Sequence, residues 1–88
     1  MERTDALILS KIYQIEKEQK RNIYSGDVAS ARILPKSRCQ KKLEEFRDKG
    51  YLEEFAIKGA NTYATTRKGL AHMTAYHDIK VEVEKFAV

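Results

Sequence analysis

The densest chemistry in this sequence is cationic. Between Arg32 and Lys42, five of eleven positions are basic (Arg32, Lys36, Arg38, Lys41 and Lys42), and no acid interrupts them. Ser37 and Gln40 stand among these cations and add a hydroxyl and a carboxamide, groups that both donate and accept hydrogen bonds. Cations suit phosphate, while an arginine or a carboxamide suits the donor and acceptor pattern of a base edge, so the combination is the chemistry of nucleic-acid recognition. A solvated helix face carries the same residue types, so position in the fold decides the meaning of the run. Other chemistries have thinner support. His72 and His77 are five residues apart, off a common helix face, and no Cys/His/Asp cluster adds ligands, so no metal is expected. There is no glycine-rich phosphate loop, nucleophile motif or spaced carboxylate pair, so neither enzymatic activity nor a cofactor is expected. The single cysteine, Cys39, has no partner for an internal disulfide and gives no sign of an oxidising compartment. Its basic neighbours favour a reactive thiolate, whereas its place on an apolar stripe favours a core role.

These residues must be positioned by a small structure. A chain of 88 residues fits one domain, 1–88, and 42% hydrophobic with 34% charged residues is a folding composition. The net charge of +4 is unevenly placed. Residues 1–50 hold 12 Lys and Arg against 8 Asp and Glu, and residues 51–88 hold 5 against 5, so the whole excess lies in the first half. A polyanionic partner follows. The opening Met-Glu-Arg-Thr-Asp lacks the pattern of a signal peptide, and no stretch approaches the roughly 18 apolar residues of a membrane span. An intracellular, cytoplasmic protein without membrane contact is expected.

The hydrophobic periods supply the elements. Thr4-Asp5 offers a cap, and Ile8, Leu9, Ile12 and Ile15 recur at helical spacing, which predicts a first helix over 5–19. Ile23-Tyr24 reads as a short strand, and Ser25-Gly26-Asp27 caps a short helix near 26–32. Leu34-Pro35 interrupts, since proline disfavours helical geometry in the residue before it and suits a first turn, so a third helix is expected at about 35–49. Its stripe Cys39, Leu43, Phe46 turns Lys36, Ser37, Gln40 and Lys41 outward, with Arg38 and Lys42 flanking, and Gly50 ends it. Two β-prone runs, 51–57 and 62–65, flank Lys58-Gly59-Ala60-Asn61 and predict a hairpin with a basic tip. Thr66 then caps a last helix over about 66–85, with Leu70, Met73, Tyr76, Ile79, Val83 and Phe86 on one stripe. Ile79, Val81 and Val83 also alternate with charged residues, so the last ten positions fit helix or strand.

This order, helix, short strand, helix, helix, hairpin, helix, resembles that of winged helix-turn-helix DNA-binding transcription regulators. Asp27-Val28-Ala29 is similar to the start of their second helix, and Leu34-Pro35-Lys36-Ser37-Arg38-Cys39 to their turn into the recognition helix. Leu43-Glu44-Glu45-Phe46-Arg47-Asp48-Lys49-Gly50-Tyr51-Leu52 resembles the exit into the wing, and Tyr63-Ala64-Thr65-Thr66-Arg67-Lys68-Gly69 the exit from it. Pro35 departs from the usual serine or threonine cap, and Thr65 from the usual apolar residue. The resemblance implies an α+β winged-helix fold, with the wing at about 51–65, and sequence-specific binding to double-stranded DNA. The recognition helix would present Lys36, Ser37, Arg38, Gln40, Lys41 and Lys42, with Arg38 suited to guanine and Gln40 to adenine. Lys58 and Asn61 on the wing and Arg67 after it would reach the backbone or minor groove. The family often pairs two protomers through the last helix, so Leu70, Met73, Tyr76, Ile79, Val83 and Phe86 are expected either at a homodimer interface or packed on the first helix. A protein-interaction module and a non-specific architectural DNA binder remain the alternative functions.

Overall fold

A computed structural model describes residues 1–86 of the chain. It is α+β: α1 (Arg3–Gln19), α2 (Ser25–Ser30), α3 (Lys36–Asp48), an antiparallel hairpin of β1 (Leu52–Ile57) and β2 (Ala60–Thr65), α4 (Arg67–Met73) and α5 (His77–Phe86). No helix among the described residues is long and apolar enough to cross a membrane.

α1 buries Ala6, Leu9, Ile12 and Tyr13. The expected cap at Thr4-Asp5 is corrected, because the helix starts two residues earlier with Glu2 as N-cap and no side-chain bond there. Ile23 keeps only part of the expected strand: its N–H and C=O both pair with Tyr63 at 2.9 Å, as one isolated bridge. Tyr24 already belongs to the next helix, since its N–H donates to the Asp27 carboxylate at 2.7 Å. Arg21 grips that carboxylate with two bonds of 2.8 Å, and together these contacts hold the Asp27 carboxyl below its usual range.

α2 and α3 end in the same way with different residues. Arg32 N donates to Ala29 O and Ile33 N to Val28 O, while Gly50 N donates to Arg47 O and Tyr51 N to Phe46 O. Both are the Schellman arrangement, which needs one left-handed residue. Gly50 takes it at φ 80°, and Arg32 takes it at φ 56°. Glycine adopts this conformation freely, but a β-carbon there costs about 1–2 kcal/mol. This left-handed turn stops α2 at Ser30, short of the expected 32.

The hairpin is tighter than expected. Lys58 and Gly59 alone form the tip, with φ of 51° and 78°, the two positive values of a turn whose twist matches paired strands. Ala60 and Asn61 are therefore strand residues, with Asn61 opposite Ala56.

The last segment is two helices, which corrects the single helix over 66–85. Thr66 does cap the first: its hydroxyl accepts from Gly69 N at 3.0 Å and donates to Gly50 O at 2.6 Å. At the far end Thr74 bonds back to Leu70 O at 2.6 Å and the chain turns before His77. The apolar period runs through the break because both helices pack on α1. Arg3 pairs with Asp78 and Tyr13 meets Phe86 at 6.0 Å, so α5 runs alongside α1 in the same direction. The Arg3 guanidinium holds the Asp78 carboxyl down at about 2. Of the last ten residues, those up to Phe86 are helical, while 87–88 lie outside the described residues.

One core joins Leu9 and Ile12 of α1 with Ile23, Val28, Cys39, Leu43, Phe46, Leu52, Tyr63, Met73 and Ile79. At the α4 end the approach is close: a β-carbon on Gly69 would lie 2.3 Å from the Tyr51 carbonyl oxygen. Backbone cannot yield as a side chain does, so Gly69→Ala should lose about 1–3 kcal/mol of stability, measured by urea unfolding. An unchanged midpoint would contradict this packing.

Candidate nucleic-acid interface

α3 forms because Cys39, Leu43 and Phe46 recur on one face and are buried against the core. That orientation leaves Lys36, Ser37, Arg38, Gln40 and Lys41 exposed. Among the described residues, Arg32, Lys36, Arg38 and Lys41 form no ion pair, and the first turn of α3 contains no acid. A helix N-terminus carries about half a positive charge, so cations there oppose the helix dipole, at about 0.3–1 kcal/mol each in exposed positions. Lys36 and Arg38, in the first turn, thus disfavour the helix and gather positive charge at its start.

The C-terminal half of α3 is organised oppositely, with its charges paired. Arg47 bonds Glu54 of β1 at 2.6 Å and Asp48 at 2.9 Å, which raises its guanidinium above the usual value. Lys49 pairs with Glu45. Within α3, the cations without an ion pair, Lys36, Arg38 and Lys41, thus lie in the half next to the α2–α3 turn.

Lys42, expected among the DNA-contacting residues, differs from these cations in being paired within the chain. Its ammonium lies 3.1 Å from Asp5 of α1 and 3.4 Å from Glu45, and its side chain is only 15% exposed. Partial burial acts to lower its affinity for a proton, but the two carboxylates outweigh it and raise the group above its ordinary value. Lys42 ties α3 to α1. Gln40 is exposed yet engaged: its Nε2 donates to Glu44 at 2.9 Å and to the Tyr63 hydroxyl at 2.9 Å. Tyr63 in turn donates to Glu54 at 3.1 Å, and burial pushes its phenol above the usual value.

The remaining expected residues are spread out. Lys58 is exposed at the hairpin tip and Asn61 is exposed on β2. Arg67 is exposed at the start of α4, beyond the opposite end of the hairpin, and a six-residue strand spans about 17 Å between the two ends. The structure therefore groups Lys36, Ser37, Arg38 and Lys41, with Arg32 close by in sequence, and does not bring Arg67 to them. Cys39 is 2% exposed, with Sγ 3.3 Å from Pro35 O, which agrees with the core reading of this thiol. The His72 and Tyr51 rings meet at a tilt of 47° with centroids 5.2 Å apart, and the described residues contain no cluster able to hold a metal ion.

The stripe expected either at a homodimer interface or packed on the first helix contributes to the chain's own core. Met73, Ile79 and Val83 are buried within the chain, and Leu70, Tyr76 and Phe86 pack half-buried on the same core.

Sequence reasoning counted Arg32 in the cationic run without giving it a site role, and it missed the Tyr63 hydrogen-bond hub and Glu16, whose carboxylate accepts from Thr65 N at 2.8 Å and Thr65 Oγ1 at 2.6 Å and so ties α1 to β2. Burial pushes the Glu16 carboxyl up, and the two Thr65 donors partly oppose that shift. Polarity at a partly buried strand end was the available signal for Thr65, but nothing in the spacing named its partner. No protein-family model matches this chain, and no curated protein or solved structure matches it either.

The two neighbouring lysines on α3 should behave differently. Lys42→Ala leaves Asp5 without its partner and should lose about 1–2 kcal/mol, between the values for exposed and buried pairs. Lys41→Ala should stay within about 0.5 kcal/mol of the native chain. Equal effects in urea unfolding would contradict the assignment.

Proposed function

We propose that this chain is a winged-helix DNA-binding protein that binds duplex DNA sequence-specifically as a transcription regulator, with α3 as its recognition helix in the major groove. The observation that carries the reading is the unpaired, acid-free cationic end of α3, placed where it opposes the helix dipole. A cationic helix start that costs helix stability and forms no ion pair is suited to an external polyanion. In this reading Arg38, with a planar donor fork and no ion pair, meets a guanine edge. Lys36, Lys41 and Ser37 hold phosphates or bases, and the hairpin serves as the wing, with Lys58 at its tip on the flanking backbone. The order helix, helix, helix, hairpin supports this assignment, because it leaves α3 and the hairpin joined by the tight Gly50 turn.

Arg32 extends the reading. It holds a left-handed position that Gly50 fills without strain in the equivalent cap, and it stands four residues before the unpaired cations. A strained residue retained beside a candidate site points to use of its side chain. Arg32 is assigned a phosphate contact.

Selection of bound duplexes from a random library, then titration at two salt concentrations, tests the proposal. Arg38→Ala and Lys41→Ala should each weaken binding to the enriched site and lower the salt slope by about 1, whereas Lys42→Ala should leave the slope unchanged. Arg32→Gly should move two readouts oppositely, gaining about 1 kcal/mol of stability while losing affinity. Unchanged affinity and slope in Arg38→Ala and Lys41→Ala would contradict the proposal. Salt-sensitive but sequence-blind binding would favour an architectural protein, and no binding at low salt would favour a protein-interaction module.

A further inference from the structure

Resting on the DNA reading above, we infer that Gln40 reads the major groove as a hydrogen-bond acceptor only, and that the Tyr63 hydroxyl is a positioning group that makes it so. The proton arrangement follows from the partners. Glu44 Oε2, 2.9 Å from Gln40 Nε2, is a carboxylate oxygen and can only accept. Tyr63 Oη lies 3.1 Å from Glu54 Oε2, and its single proton goes there. Arg47 holds the other Glu54 oxygen at 2.6 Å, which keeps that carboxylate an acceptor. Toward Gln40 the phenol therefore offers a lone pair, 2.9 Å from the same Nε2. A carboxylate on one side and a phenol with its proton committed on the other admit only the amide NH2. The flipped carboxamide would set oxygen against an acceptor at both contacts.

Both Gln40 protons are thus committed, and Oε1 keeps the side chain's open capacity. An unconstrained glutamine meets adenine with two bonds, donating to N7 and accepting from N6. The latched Gln40 lacks the donating half. Its oxygen accepts from the amino group of adenine or cytosine and meets only acceptors on guanine N7 and O6 or thymine O4. The base facing Gln40 is consequently selected for an amino group, adenine or cytosine, rather than for adenine alone.

The latch is anchored from behind. Tyr63 is fully buried and its backbone is paired to Ile23 in both directions, so its hydroxyl cannot follow Gln40 toward DNA. Withdrawing the amide would break two bonds, one of them to a charged acceptor.

The test is the base-preference profile of selected duplexes for the native chain, Gln40→Met and Tyr63→Phe. The native profile should contain one position that accepts adenine and cytosine and disfavours guanine and thymine by about tenfold. Gln40→Met, similar in length but without donor or acceptor, should flatten that position alone. Tyr63→Phe frees one amide proton and should narrow the position from adenine or cytosine to adenine. Because Tyr63 is buried, Gln40→Met at an exposed site decides the matter if Tyr63→Phe does not fold. A native preference for guanine at the position that Gln40→Met flattens would overturn the inference, as would a Gln40→Met profile identical to the native one. A native profile without preference at any position is a distinct result that removes sequence-specific recognition itself.

Discussion

Three separate stretches of chain meet at Tyr63, and the relation between α3 and the hairpin depends on that meeting. The backbone of Tyr63 holds Ile23, its ring fills the core without exposure, and its hydroxyl sits between Gln40 of α3 and Glu54 of β1. A two-stranded hairpin alone is marginally stable in water, so the β1–β2 pair needs an anchor. Tyr63 supplies it from the middle, Thr65 from the base through Glu16, and Arg47 from the helix side through Glu54. The helix and the hairpin are held as one surface, and in the proposed function that surface faces DNA.

Charge is divided by the same architecture. Ion pairs tie elements together at Arg3 and Asp78, Lys42 and Asp5, and Arg47 and Glu54, each joining two elements of secondary structure. The cations at the start of α3 have no such task. Exposed pairs such as Arg3 with Asp78 add little stability, so the packing of Leu9, Ile12, Phe46 and Ile79 carries the fold, and the pairs set how the elements align. Within α3, the cations left without an ion pair, Lys36, Arg38 and Lys41, are those of the candidate interface.

Much of this was legible in the sequence, for physical reasons that differ by residue. Pro35 and Gly50 bracket α3 because proline fits a first turn and glycine fits a left-handed cap, so the expected 35–49 and the observed Lys36–Asp48 nearly coincide. Thr66 is a local cap and could be recognised locally. Arg32 occupies the same left-handed cap without glycine, so the early end of α2 carried no signal. The break between α4 and α5 was hidden because both helices bury residues against α1, and the apolar period runs unbroken from Leu70 to Val83. Within the site, the stripe Cys39, Leu43, Phe46 correctly turned Lys36, Ser37, Gln40 and Lys41 outward. Lys42 and Gln40 depended on partners 37 and 23 residues away, which no local period encodes.

The measurement that bears most directly on the central claim is a titration of the isotope-labelled chain with a duplex from the selection, following backbone amide resonances. The account predicts that amides of residues 36–41 and of Lys58 shift with added DNA, while those of Ile79, Val81 and Val83 on α5 do not. Shifts confined to α1 and α5 with α3 unmoved, or no shifts at low salt, would contradict it.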